Sequence, residues 1–105
     1  MEIHFEQEYL DELYHRGKAK DKKHRFQPSV ISRYVRCVDY LAAVLRPEEL
    51  YQYNSLRFEA LHGDKEGRFS IRVNDRYRIE FTLSKHEEQL TVTICTICEL
   101  SNHYK

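Results

Sequence analysis

The side chains with the clearest chemical potential are Arg72 and Arg78, which lie on either side of a short polar stretch. Apolar and polar residues alternate on both sides of that stretch, a pattern typical of a β-hairpin. Because both apolar sets must reach one core, we expect a three-residue turn, Asn74-Asp75-Arg76, which sets Arg72 opposite Arg78. The apolar residues of the hairpin are Phe69, Ile71 and Val73 on the first strand, and Tyr77, Ile79, Phe81 and Leu83 on the second.

Two arginines that face each other across a pair of strands repel, and this destabilises the sheet. A fold that keeps such a pair is suited to bind a negatively charged group, and phosphate is the obvious candidate. The alternative interpretation is that Arg72 and Arg78 are ordinary solvent-facing residues, partly balanced by Glu80.

Acid–base groups lie at both ends of this region. His62 precedes Gly63 at the mouth of the hairpin, and His103 and Tyr104 lie near the C-terminus. If the last strand pairs beside the hairpin, its end brings His103 close to the arginines. Such a site suits cleavage of an RNA phosphodiester. One group deprotonates the ribose 2′-OH, the arginines hold the phosphorane charge, and a second group protonates the leaving 5′-oxygen.

Composition limits the other possibilities. A chain of 105 residues predicts one domain, 1–105. The formal net charge is zero, which argues against a general nucleic-acid binder but leaves room for a local basic site. The sequence contains no membrane-length apolar run and no secretory signal, so we expect a cytoplasmic protein without membrane contact. It also lacks GxGxxG and GxxxxGK[ST] nucleotide-binding motifs.

Basic residues are concentrated in the segment 16–25, which carries six lysines and arginines against one acid, Asp21. This segment is either a contact for nucleic acid or for an acidic partner, or a solvated loop between two helices. Both interpretations remain open at this stage.

Cys95 and Cys98 have the CxxC spacing found in zinc and redox sites. The segment looks like a strand, in which positions three apart point to opposite faces, and the sequence has no second CxxC. We therefore expect reduced thiols, with no metal and no cofactor.

The elements that must position these residues follow from periodicity. The predicted order is strand, helix, helix and three strands, an α+β domain of β-α-α-β-β-β order with a mainly antiparallel sheet packed on helices. The predicted elements are a strand at 2–5, a helix at 6–16 ended by Gly17, a helix from Pro28 ended by Pro47, a connecting segment at 51–67, the hairpin at 69–83, and a last strand from Leu90 to about Glu99. The last strand is predicted because Leu90, Val92 and Ile94 alternate with polar residues.

The segment from Leu61 to Phe81 resembles the HigB-like killer toxins of the RelE/ParE superfamily, whose pattern is roughly LxGDxxGxxSIRVNxxxRIxF. The ending Asn102-His103-Tyr104 is similar to the short Tyr-His ending common in that family. The resemblance implies a RelE-like fold and a ribosome-dependent mRNA endoribonuclease, or mRNA interferase, that cuts mRNA in the ribosomal A site. It also implies a helix-turn-helix, HigA-like antitoxin as partner, with operator DNA contacted only through that antitoxin.

By the same resemblance, Arg72 and Arg78 match the family's phosphate-contacting arginines, and His103 matches its C-terminal catalytic histidine. His62 falls where relatives often have a basic residue before Gly-Asp, and Tyr104 joins the catalytic candidates. We expect the remaining cations of this region to contact RNA; they are Lys65, Arg68 and Arg76.

The family's ending often reads Asp-Tyr-His, whereas this chain has Ser101-Asn102-His103 with Tyr104 following. Two alternatives to the ribonuclease therefore stay open. One is a ParE-like, non-catalytic inhibitor of DNA gyrase, and the other is a catalytically silent relative that binds an antitoxin.

Overall fold

The fold is a five-stranded sheet packed against two α-helices, seen in a computed structural model that describes residues 1–102. The observed α+β class agrees with the prediction. Within the described residues, 3₁₀ helices occur in the connections at Lys22–His24, Pro47–Gln52, Asn54–Leu56 and Gly63–Lys65. The strands and α-helices are, in chain order, β1 (Glu2–Phe5), α1 (Glu8–Arg16), α2 (Pro28–Ala43), β2 (Glu59–Ala60), β3 (Phe69–Arg72), β4 (Tyr77–Lys85) and β5 (Thr93–Asn102).

The strands lie in the order β1-β5-β4-β3-β2. β1 runs parallel to β5, and the other three pairings are antiparallel. The sheet is therefore mixed but mainly antiparallel, as the sequence predicted. β4 and β5 form its centre, and the long antiparallel pairing between them carries the end of β5 to the turn of the hairpin.

The end of α1 and the start of α2 agree with the local signals, whereas α1 begins at Glu8 rather than at residue 6, and α2 ends at Ala43, before Pro47. α2 starts at Pro28, whose fixed φ angle and missing N–H suit the first helical position. α1 ends at Gly17, which has a φ of 75° and donates its N–H to the Leu13 carbonyl. This left-handed cap is a conformation that glycine adopts without strain.

The core lies between the apolar stripes of the helices and one face of the sheet. Tyr34 of α2 is fully buried, and its hydroxyl donates a hydrogen bond of 2.8 Å to the Leu10 carbonyl of α1. Burial of each large side chain contributes about 1.5–3 kcal/mol. The other fully buried residues of this cluster include Leu10, Leu13, Val38 and Leu41 from the helices and Ile71, Ile79, Phe81 and Ile97 from the sheet.

The hairpin has the register expected from its alternation. Ile71 pairs with Ile79, and Arg72 pairs with Arg78. The Val73 N–H donates to the Tyr77 carbonyl at 2.9 Å and closes the turn. The side chain of Asn74 accepts hydrogen bonds from the backbone of Arg76 and Tyr77, which stabilises the turn in the manner typical of asparagine.

The last strand differs from its prediction. It begins at Thr93 rather than Leu90, and Leu90 is 72% exposed. The buried side chains at its start are Thr93, Cys95 and Ile97, so the apolar alternation from Leu90 to Ile94 did not mark the buried face. A bulge beside Glu80 and Phe81 then shifts the register before Leu100 pairs with Ile79. Such a bulge changes the face that later residues occupy, which strict alternation does not anticipate.

The segment 51–67, predicted as a connection, contains one further strand. β2 has only two residues, Glu59 and Ala60, both exposed, and pairs with Ser70 and Phe69 at the edge of the sheet. Two residues are too few to show the apolar–polar alternation by which a strand is recognised in a sequence.

Within residues 1–102, no helix combines the length and the hydropathy needed to span a membrane.

Candidate functional site

The arginine pair lies near the end of the hairpin, where alternation along the strands sets both side chains on the face opposite Ile71 and Ile79. Arg78 is largely enclosed, with 13% of its side chain exposed. Its Nη1 donates to the Ser70 hydroxyl at 3.0 Å and approaches Glu59 Oε1 at 3.1 Å. Arg72 is more accessible and forms an ion pair with Asp75 across the turn. Each arginine is thus held by its own carboxylate, and both carboxylates are mainly exposed.

Glu80 lies on the same face but pairs with other cations, so the expected balance of the arginines by Glu80 needs correction. Lys65 Nζ lies 2.6 Å from one oxygen of Glu80, and Arg68 Nη1 lies 2.9 Å from the other. Arg68 also approaches Glu99, the register partner of Glu80, at 3.4 Å. Arg78 turns toward β2 and Glu59, whereas Glu80 faces the loop that follows β2.

The buried carboxylate of Glu80 stays ionised because of these neighbours. Burial by itself raises the pKa of Glu80, but hydrogen bonds from Lys65, Ser101 and Arg68 outweigh burial and lower the pKa below its ordinary value. In return, Glu80 raises the pKa of both Lys65 and Arg68 through these side-chain hydrogen bonds. The cluster anchors the loop 61–68 to the sheet.

The loop itself is closed by backbone contacts. The Leu61 N–H donates to the Arg68 carbonyl at 2.8 Å, and the loop contains the 3₁₀ turn Gly63–Lys65. Gly67 has a φ of 94°, a conformation in which other residues are strained. His62 precedes the 3₁₀ turn and is exposed. The glycines of the sequence motif therefore set the path of a loop that carries Lys65 onto Glu80.

β5 ends beside the arginines. Ser101 is the register partner of Arg78, and its hydroxyl donates to the Arg78 carbonyl at 3.5 Å. One residue earlier, the Leu100 N–H donates to the Tyr9 hydroxyl oxygen at 3.1 Å, which ties the strand to α1. The predicted site residues His103 and Tyr104 lie outside the described residues.

The structure thus places Arg72, Arg78, Lys65 and Arg68 on or against one face of the sheet, and leaves Arg76 exposed in the turn. Of the groups that hold these cations in place, the sequence drew attention only to Glu80, and to that residue as a partner of the arginine pair. Ser70 and Glu80 share the even-numbered parity of Arg72 and Arg78, so the same alternation argument identifies them. Glu59 had no such signal. The groups that hold the cations are Glu59, Ser70, Asp75, Glu80 and Glu99.

The cysteines occupy separate environments. Cys95 belongs to the hydrophobic core, whereas the Cys98 thiol lies against the Thr96 carbonyl and outside that cluster. Both are free thiols, as is Cys37. Across the part of the chain that the structure describes, no three His, Cys, Asp or Glu side chains converge as metal ligands.

The architecture matches that of a known class of toxins. The structure superposes on the YoeB/ParE toxin from Agrobacterium tumefaciens with a TM-score of 0.55 and 14% sequence identity, covering 99% of this chain and 100% of that one. At this low identity the match concerns the fold alone. The protein therefore has the fold of the RelE/ParE toxins.

Sequence comparison narrows the class to a family. A family model described as the RelE-like toxin of the type II toxin–antitoxin system HigB matches residues 3–94. Toxin HigB-1 of Vibrio cholerae serotype O1 is 35% identical over 82 residues, which are 77% of this chain and 82% of that protein. The chain belongs to the HigB-like family of type II toxins, as the motif between Leu61 and Phe81 indicated. Membership of a type II family implies an antitoxin partner.

Proposed function

We propose that this HigB-like toxin is a ribosome-dependent mRNA endoribonuclease that arrests translation by cutting mRNA in the ribosomal A site. One observation carries the proposal. Arg72 and Arg78 are register partners at the end of the sheet where β5 ends at Asn102, the residue that precedes His103 in the sequence. Its site of action would then be the cytoplasm.

The arginine pair supports the phosphate-binding part of this mechanism. Arg78 is held by Ser70 and Glu59, so its guanidinium needs little reorganisation to meet a phosphate. Arg72 has a carboxylate partner in the exposed turn, Asp75, which an incoming phosphate can displace. Both guanidiniums would stabilise the charge that develops on the phosphorane during attack by the 2′-oxygen.

We assign the proton transfers to His103 and Tyr104, with His62 as the further acid–base candidate. Ser101 lies opposite Arg78, and His103 follows two residues later in the chain. An imidazole with its ordinary pKa near neutrality can accept the 2′-OH proton or donate one to the 5′-oxygen.

The remaining cations would position the RNA strand. Lys65 and Arg68 already pair with Glu80, but each keeps further N–H donors and is partly exposed. Arg76 is exposed in the hairpin turn. We propose that these three side chains contact the RNA backbone, and that the implied antitoxin is a helix-turn-helix protein of the HigA type through which operator DNA is bound.

The test is induction of the toxin in a bacterial host, with growth and mRNA cleavage sites measured together. We expect Arg72→Ala, Arg78→Ala and His103→Gln each to relieve growth arrest, with mRNA cleavage on purified translating ribosomes reduced about 10²–10³-fold. Arg46→Gln is the matched control, because Arg46 lies near the start of β5, at the end opposite Arg78. Circular dichroism checks that each variant folds.

The same experiment distinguishes the ribonuclease from the two alternative functions, gyrase inhibition and antitoxin binding without catalysis. Growth arrest accompanied by loss of DNA supercoiling, with intact mRNA, would replace the ribonuclease with gyrase inhibition. A folded wild-type protein that binds antitoxin but causes neither effect would be a silent relative. Full cleavage activity in all three variants would refute the site assignment.

A further inference from the structure

A second group of arginines surrounds a small cleft between α2 and the edge of β3. The cleft has a volume of about 120 Å³, well above the roughly 10–15 Å³ that a single water molecule needs. Arg33 and Arg36 line it from α2, and Arg72 lines it from β3. Tyr40 and Ser55 also line it. The polar lining therefore includes cations and hydroxyl-bearing residues, and among residues 1–102 no acidic residue lines the cleft.

The floor of the cleft is buried and fixed. Cys37 and Leu56 are both buried, and the Cys37 thiol lies 3.7 Å from the Arg72 carbonyl, to which it donates. Burial raises the pKa of Cys37 to about 11, while the charges of Arg33, Arg36 and Arg72 act in the opposite direction. The charges of three arginines thus act on one buried thiol.

These charges are poorly compensated by the protein. Arg33 is held in place, since its Nε donates to the Val73 carbonyl at 2.8 Å, but a carbonyl neutralises no charge. Arg72 has Asp75, which lies in the exposed turn. Among residues 1–102, Arg36 forms no ion pair. Three like charges around one cleft repel each other unless an anion joins them.

We propose that this cleft binds a phosphate group, either from an RNA strand or as a free anion. Guanidinium groups bind phosphate through paired N–H donors, and hydroxyl groups supply further hydrogen bonds. Arg72 belongs both to this cleft and to the arginine pair on the sheet, so an RNA strand can place one phosphate at Arg78 and a neighbouring one here. Binding of an RNA phosphate in this cleft rests on the proposed ribonuclease function, whereas the affinity of the cleft for a phosphate group as such does not.

Arg36→Gln is the most informative substitution, because the Arg36 side chain is exposed and forms no ion pair within the described residues. The fold is therefore expected to survive it. Arg36→Lys retains the charge but loses the planar donor pair, and Arg46→Gln is the control, because it removes the same charge at a different groove. Two probes are titrated separately by calorimetry or NMR at low salt: inorganic phosphate and a short single-stranded oligoribonucleotide.

We expect Arg36→Gln to weaken binding of at least one probe about tenfold or more, the effect of losing one charge-assisted contact. Arg36→Lys should fall between Arg36→Gln and the wild type, and Arg46→Gln should change binding less than twofold. Weakening with the oligoribonucleotide alone identifies an RNA phosphate, and weakening with inorganic phosphate identifies a site that also accepts the free anion. If neither probe binds more weakly to Arg36→Gln than to Arg46→Gln, the proposal is overturned. Binding is read without mRNA cleavage, so failure of the ribonuclease proposal would leave this result interpretable.

Discussion

Replacing Glu80 with glutamine removes a buried negative charge while it keeps the shape of the side chain. The carboxylate of Glu80 is 5% exposed and accepts hydrogen bonds from Lys65 Nζ at 2.6 Å and Arg68 Nη1 at 2.9 Å. We expect Glu80→Gln to lower the free energy of unfolding, because Lys65 loses its anionic partner, Arg68 keeps only the longer contact with Glu99, and the loop 61–68 loses its anchor.

The magnitude follows from the number of contacts and their exposure. A hydrogen bond to a charged group contributes about 1.5–3 kcal/mol, which places two such bonds at roughly 3–6 kcal/mol. Lys65 and Arg68 are 42% and 30% exposed, so both regain water when the carboxylate is removed. The glutamine oxygen also keeps one weaker bond. We therefore expect a loss of about 2 kcal/mol at pH 7, or roughly 8–16 °C in Tm.

The effect has a definite dependence on pH. Because the folded protein lowers the pKa of Glu80, its contribution to stability is fully present above the unfolded value of about 4.3. It is lost as the pH falls through the lower folded value. The difference in stability between wild type and Glu80→Gln should therefore be largest near neutrality and shrink below about pH 4.

Urea denaturation followed by circular dichroism measures this difference at each pH. Glu99→Gln is the matched control: it is the register partner of Glu80, but its side chain is 41% exposed and its contact with Arg68 is longer. We expect the control to change stability by less than about 0.5 kcal/mol. Equal stability of Glu80→Gln and wild type at pH 7, or a difference that grows toward acid, would refute the reasoning.

Two further predictions concern the helices. Gly17→Ala should lower stability by about 1 kcal/mol, because the left-handed φ of 75° is strained for alanine although nothing lies within 4 Å of the added carbon. Gly17→Asn should cost less, and equal losses for both substitutions in urea denaturation would contradict a conformational cause. Tyr34→Phe should lower stability by about 1 kcal/mol, because it removes the donor to the Leu10 carbonyl. An unchanged urea midpoint would show that this bond contributes nothing.

The hairpin shows why part of the site was predictable. Its register follows from one local rule, that alternating apolar residues must share a face, and this rule was enough to set Arg72 opposite Arg78. The same rule failed at Leu90, because apolar residues alternate there in an exposed turn and the buried strand starts only at Thr93. Alternation identifies a face, but it does not say whether anything covers that face.

The partners of the arginines required the assembled fold. Glu59 meets Arg78 only because a two-residue strand adds to the edge of the sheet. Lys65 meets Glu80 only because the loop after β2 folds back over the sheet. These contacts join residues 19 and 15 positions apart, and no periodicity relates such positions.

The sequence by itself determined the elements that depend on near neighbours. Helix ends at Gly17 and Pro28, the pairing within the hairpin and the loop motif before it all depend on local backbone preferences and side-chain alternation. The tertiary structure alone decided which charges meet. It assigned Glu80 to Lys65 and Arg68 rather than to the arginine pair, and it placed Arg36 of α2 and Arg72 of β3 at the same cleft. The physical reason is that ion pairing depends on distance in space, which only the packed helices and sheet establish.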